Sequence, residues 1–169
     1  MAKKYSVEWW QGLRPERIGA ETESLVRVIL DKMNTRQDFT YHRMPDAKAA
    51  RGALPAQPGD FLYASNDSTL GSPCVGFLEV KACKHPYRLA KDKISQLAKL
   101  NLFEMAGAKS YVLVNHYLQG YWRVVPTNWL ADGVPSWDLS NCATYPTHVD
   151  ALHSAHPFRR VIEAVGLMA

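Results

Sequence analysis

An aspartate, a glutamate and a lysine in the run from Pro58 to Lys81, PGDFLYASNDSTLGSPCVGFLEVK, have the types and spacing for chemistry. If Val75-Gly76-Phe77-Leu78-Glu79-Val80-Lys81 is a strand, alternate side chains leave on opposite faces, so Glu79 and Lys81 share one face and Leu78 and Val80 take the other. Upstream, Gly59-Asp60-Phe61-Leu62-Tyr63 reads as a strand entered from a Pro-Gly turn, and Asn66-Asp67-Ser68 with Gly71 supplies a hairpin connection. Antiparallel pairing of the two brings Asp60 toward Glu79 and Lys81. Carboxylates that share a site repel each other, and a hard divalent cation with oxygen ligands, most often Mg²⁺, holds both ionised. A lysine there serves as a compact positive charge beside a phosphate or as the partner of an attacking water. Taken alone, E-x-K on an exposed strand is a solvated ion pair worth under about 1 kcal/mol. The apolar flanks, the preceding aspartate and the basic residues that follow favour the site.

The positioning elements are legible around this run. From about Gly19 to Met33, Leu25, Val26, Ile29, Leu30 and Met33 recur at helical spacing and predict an amphipathic helix on the sheet. Its Glu21 and Glu23 either complement the helix dipole in solvent or give the site a further ligand. Asp38 to Met44 alternates as a strand, and the irregular segment Pro45 to Pro58 carries Lys48 and Arg51. Ala90 to Ala106 reads as a helix stopped by Gly107, with Gln96 on it. Tyr111 to Val114 and Tyr121 to Val125 read as strands separated by a turn at Gln119-Gly120. The predicted order is helix, three strands, helix, two strands. Residues 1–16 form an N-terminal arm whose Trp9 and Trp10 either stack on bases or cap a core or subunit contact. Residues 127–169 read as an irregular C-terminal extension ending in a helix from Phe158 to Leu167; its His148, His153 and His156 do not make a strong metal pattern.

With 169 residues, 47% of them hydrophobic, the chain suits one domain with one core. The net charge of +4 is unevenly spread. Lys81, Lys84, Arg88, Lys91, Lys93 and Lys99 face only Asp92 between positions 81 and 99, whereas Val124 to Phe158 holds no Lys or Arg. Positive charge beside an acid cluster points to a polyanionic partner. Cys74, Cys83 and Cys142 lack disulfide or zinc spacing and read as reduced thiols. Neither a membrane span nor a secretory signal is apparent, and a cytoplasmic location is expected.

These residues resemble the PD-(D/E)xK nuclease superfamily: Pro58-Gly59-Asp60, with one residue inserted between Pro and Asp, then Glu79-Val80-Lys81. Arg17-Ile18-Gly19-Ala20-Glu21-Thr22-Glu23 is similar to the R-x-G-A-x-x-E opening of archaeal Hjc-like Holliday-junction resolvases, which matches the helix glutamate to Glu23. Arg43 to Gly52, followed by Gln57 to Phe61, resembles RecU-like and phage-borne nucleases. The resemblance covers Arg17 to Pro126. It implies an α/β fold, a restriction-endonuclease-like central mixed β-sheet flanked by helices. It further implies Mg²⁺, or Mn²⁺ in its place, held by Asp60, Glu79 and Glu23, with Lys81 positioning or activating water and Gln96 orienting water or contacting DNA. Phosphate contacts would come from Arg43, Lys48, Arg51, Lys84, Arg88, Lys91 and Lys93. The implied activity is that of a homodimeric endonuclease making paired cuts in four-way DNA junctions, in a bacterial or phage-infected cell. Ala64 to Pro73 is short for the RecU stalk, which weakens the implied junction specificity. A restriction- or repair-type nuclease and a non-catalytic DNA-binding protein are the alternatives.

Overall fold

The computed structural model describes residues 2–45, 57–66 and 73–168. After a short helix α1 (Val7–Gln11), Pro15 opens the long helix α2 (Pro15–Met33), where its missing N–H costs nothing. The helix therefore starts a full turn before the expected Gly19, and Glu21 and Glu23 lie inside it rather than at its N-terminus. Strands β1 (Phe39–Arg43), β2 (Phe61–Ser65) and β3 (Cys74–Ala82) follow. Then come β4 (Arg88–Ala90), α3 (Leu97–Met105), β5 (Tyr111–His116), β6 (Tyr121–Pro126), β7 (Ser136–Asp138), α4 (His148–Ser154) and α5 (His156–Ala164).

Five strands form a central mixed sheet in the order β1-β2-β3-β5-β6, flanked by helices, which is the architecture expected from the sequence. The β1-β2-β3 portion is antiparallel, β5 runs parallel to β3, and β6 returns antiparallel to β5. A parallel neighbour needs a crossover, and the segment carrying α3 provides it.

The sheet is buried on both sides, and the alternation along β3 decides which residue goes where. Leu78 and Val80 join Phe61, Tyr63 and Leu113 under α2, α4 and α5, where Val26, Leu30, Met33, Leu152, Phe158 and Ile162 close the larger core. Phe77 faces the other way, into a second cluster with Leu97, Leu100, Val112, Val114, Val125 and Trp137.

Two expectations differ from the structure. The predicted helix from Ala90 does not form: β4 pairs with β7 in a separate two-stranded sheet, which draws residues 88–90 into extended backbone. Lys91–Ile94 then closes a 3₁₀ turn, and the α-helix begins only at Leu97. Residues 127–169 are less irregular than expected: the closing helix is present as α5, and β7 and α4 precede it. Their Leu152, Phe158 and Ile162 are fully buried in the larger core. At the N-terminus, α1 buries Trp10 beside Tyr117, in line with the core-capping alternative for the two tryptophans. The hairpin connection expected from Asp67, Ser68 and Gly71 lies outside the described residues. Among the described residues no helix is long and apolar enough to cross a membrane.

Candidate active site

The β2–β3 register ends at Phe61 opposite Leu78, so Asp60, one residue earlier, falls opposite Glu79. Beyond that point β3 has lost its β2 partner, and the Val80 N–H is satisfied by a side chain instead: it donates to Asp60 Oδ2 at 2.7 Å. Asp60 is thereby anchored to the strand that carries the other two groups. The turn that delivers it needs a residue without a side chain, since a Cβ on Gly59 would stand 3.0 Å from Phe77 Cβ and 3.6 Å from Glu79 Oε2.

Lys81 Nζ makes a short ion pair with Glu79 Oε1 and lies 3.9 Å from Asp60 Oδ2. The Glu79 side chain is only 2% exposed, whereas Lys81 and Asp60 are 21% and 28% exposed, so the cluster is open on the Asp60 and Lys81 side. Burial raises the Glu79 carboxyl well above the ordinary carboxylate range, and the charge of Asp60 raises it further, against the opposing pull of Lys81. Asp60 is raised for the same first reason, burial, which Lys81 and the Val80 N–H only partly offset. For Lys81, burial alone would lower the pKa, but the charges of Asp60 and Glu79 outweigh it and the ammonium is held protonated. One cation thus serves two carboxylates, leaving the cluster short of positive charge.

The two alternatives for the helix glutamate separate. Glu21 pairs with Arg17 at 3.3 Å along α2. Glu23 is near enough to the cluster for its charge to raise both Asp60 and Lys81, yet its carboxylate accepts from Arg43 Nε at 2.6 Å. Between them Thr22 is buried and accepts from Asn115 Nδ2 at 3.2 Å, which fixes this turn of α2 against the end of β5. Among the described residues no three His, Cys, Asp or Glu side chains converge closely enough to chelate an ion by themselves. The Asp60–Glu79 pair nonetheless suits Mg²⁺, which is typically held by one or two carboxylates with water and substrate phosphate completing its shell.

Gln96 makes no hydrogen bond to Asp60, Glu79 or Lys81 among the described residues. It stands at the N-cap position of α3 rather than within the helix, and its amide oxygen accepts from Ser95 Oγ at 3.0 Å. Of the basic residues, Lys84, Arg88 and Lys93 line one groove together with His85, just past the end of β3. Lys91, two residues from Lys93, is instead paired with Asp132 at 3.0 Å. Arg43 is engaged by Glu23, and Lys48 and Arg51 lie outside the described residues.

A support for this basic loop was not anticipated from the sequence. Arg123, 4% exposed, donates from Nη1 to the Pro86 carbonyl at 2.6 Å and lies 3.0 Å from His116 Nε2. His116 Nδ1 is 2.7 Å from the His85 carbonyl, so the ring is neutral, donating at Nδ1 and accepting at Nε2. The signal was an arginine, Arg123, inside the apolar run of β6, where a buried charge needs partners.

No protein-family model matches the chain, and no curated protein does. Among solved structures it is similar to Archaeoglobus fulgidus Hjc, a Holliday junction resolvase from an archaeal hyperthermophile. The TM-score is 0.47 and the identity 23%, covering 72% of this chain and 89% of that one. A likeness of this size carries no function across, so the chemistry has to come from the side chains.

Proposed function

We propose that the chain is a metal-dependent endonuclease that hydrolyses DNA phosphodiester bonds. The observation that carries this reading is the convergence of Asp60, Glu79 and Lys81 where β2 ends beside the central strand β3, two carboxylates sharing one cation. Asp60 and Glu79 would hold Mg²⁺, or Mn²⁺ in its place, with Glu23 reaching in once Arg43 releases it. The bound ion supplies Lewis acidity and a more acidic water. Lys81 presents an ammonium to the scissile phosphate, offsetting the charge that develops there, and orients the water. Lys84, Arg88 and Lys93 hold phosphates away from the cut, which gives affinity without base sequence.

Branched DNA is the proposed substrate and a homodimer the proposed form, both supported by the resemblance of Arg17 to Glu23 and of Arg43 to Phe61 to resolvase segments. The test is cleavage of a labelled four-way junction and a matched linear duplex in Mg²⁺ and in EDTA, by the wild type and Asp60→Asn. Paired, Mg²⁺-dependent cuts confined to the junction and lost in the variant are expected. Equal cutting of the duplex removes the junction preference, and DNA binding without cutting in Mg²⁺ or Mn²⁺ removes the enzyme.

A further inference from the structure

Beyond the cluster, the groove at the end of β3 has a composition that phosphate contacts alone do not explain. It is a cavity of about 270 Å³. Lys84, His85, Arg88 and Lys93 supply one kind of lining, and Pro15, Ile18, Ala82, Cys83 and Tyr117 supply another. Among the described residues, no ion pair within 4.0 Å compensates Lys84, Arg88 or Lys93, in contrast to Lys91. A duplex backbone needs only the cations. The aromatic and apolar part of the same lining suits the face of an unpaired base, because every base offers a π surface for stacking.

Tyr117 is built as a platform for such a face. Immediately before it, His116 is fully buried and fixed by the His85 carbonyl and Arg123. The turn that follows closes through Gly120, whose φ of 72° lies in the left-handed region that glycine adopts freely. Behind the tyrosine stands Trp10, with ring centroids 6.3 Å apart, and Trp10 is backed in turn by Trp9 at 4.9 Å. Lys84 is three residues past Lys81, so the groove opens at most about 10 Å along the chain from the cluster.

We propose that this groove seats one unpaired nucleotide of the DNA substrate, its phosphate toward Lys84, Arg88 and Lys93 and its base against Tyr117. The proposal rests on the nuclease reading and specifies the DNA form that the same surface prefers, a strand with at least one base out of the stack.

The test is binding rather than cutting. Fluorescence anisotropy in EDTA compares a labelled single-stranded oligonucleotide, a strand of the same length without bases, and a duplex. The proteins are the wild type, Tyr117→Leu, Tyr117→Phe and Lys93→Ala. Loss of one stacking contact is expected to weaken the single strand about tenfold in Tyr117→Leu. Tyr117→Phe, which keeps the ring, restores it, and neither the baseless strand nor the duplex changes by more than about twofold. Lys93→Ala, an exposed position that cannot disturb the core, weakens all three and reduces the salt slope by about 1. Equal single-strand affinity in Tyr117→Leu and wild type overturns the proposal, as does an equal loss for the baseless strand. Because no cleavage is read, an inactive protein with the expected binding pattern keeps the subsite and loses the nuclease reading. An active one without the pattern does the reverse.

Discussion

The Asp60 carboxylate accepts the backbone N–H of Val80, the residue between Glu79 and Lys81, at 2.7 Å. All three chemical groups therefore belong to one rigid unit, the end of β3 together with the turn hydrogen-bonded to it. Sites built on strands hold their geometry better than sites on loops. Substituting Asp60 by asparagine keeps an acceptor for Val80 while removing the charge, so loss of activity in that variant reports on chemistry rather than on folding.

The strained electrostatics of this unit predict how stability responds to metal. The folded-state pKa of Glu79 is raised, so its contribution is fully present below the ordinary carboxylate range and is lost as pH rises through the folded value. At pH 8, without metal, the buried charge opposes folding. Mg²⁺ at a hundredfold excess over its Kd is expected to stabilise the protein by about 2.7 kcal/mol. For a chain of this size that raises Tm by several degrees. Glu79→Gln is expected to abolish both the Mg²⁺ response and this part of the fall with pH. A thermal melt showing the same Mg²⁺ shift in that variant would remove Glu79 from the ligand set.

Lys81 is held protonated by Asp60 and Glu79, which makes it a donor and a charge rather than a proton acceptor. Lys81→Met, similar in length but uncharged, is expected to lower the rate of DNA cleavage by about 10²–10³, the cost of removing one charge-stabilising donor. Affinity for DNA in EDTA should change by less than about twofold, since phosphate contacts elsewhere supply it. A large loss of affinity with an unchanged single-turnover rate would assign Lys81 to binding instead.

The central strand pair, the long helix and the Asp60–Glu79–Lys81 cluster were legible in the sequence because each rests on local periodicity: two along β3, helical spacing along α2. What was not legible depends on contacts between distant segments. Arg88–Ala90 is a strand only because Ser136–Asp138 lies beside it, and that pairing is what displaces Gln96 from a helix interior to its start. The closing helix α5 was legible from Phe158 onward, whereas α4, only seven residues long and capped by Thr147 accepting the Asp150 N–H, is too short to show a stripe in the sequence. Glu21 and Glu23 were equivalent by spacing. They part only because Arg43 arrives from β1 to meet the second of them.

Gly76 offers a stability test independent of function. A Cβ built there would lie 1.8 Å from the carbonyl oxygen and 2.5 Å from the carbonyl carbon of Lys109, backbone that cannot swing away. Lys109 is itself fixed, since its N–H donates to the Val75 carbonyl at 2.9 Å and its carbonyl accepts the Tyr63 hydroxyl. Gly76→Ala is therefore expected to destabilise the fold by about 1–3 kcal/mol or more through overpacking. Urea denaturation reads this directly, and an unchanged midpoint would mean that the β3–Lys109 approach is looser than described.

His116 sets the behaviour on the acid side. The ring is fully buried, and burial lowers its pKa to about 4, with the adjacent Arg123 guanidinium also opposing a second positive charge. A depressed histidine contributes stability that is present above its unfolded pKa of 6.5 and is lost as pH falls toward the folded value. The shift corresponds to at most about 3 kcal/mol between those limits. His148, packed on Trp122 and likewise lowered to about 4, adds an effect of the same sign. Glu79 acts oppositely, so differences between variants, not the wild-type curve, isolate each group. His116→Gln is expected to lower stability at pH 7 but to flatten the loss between pH 6.5 and pH 4. Urea midpoints measured at pH 7 and pH 5 for both proteins decide it, and parallel losses would show that His116 does not drive the acid limb. Because His116 and Arg123 hold the His85 and Pro86 carbonyls, protonation at low pH should also loosen the loop bearing Lys84 and Arg88. The protection factors of the Lys84, His85, Tyr87 and Arg88 amides, exchange rates corrected for the intrinsic pH dependence, are then expected to fall below pH 5 before those of the sheet do.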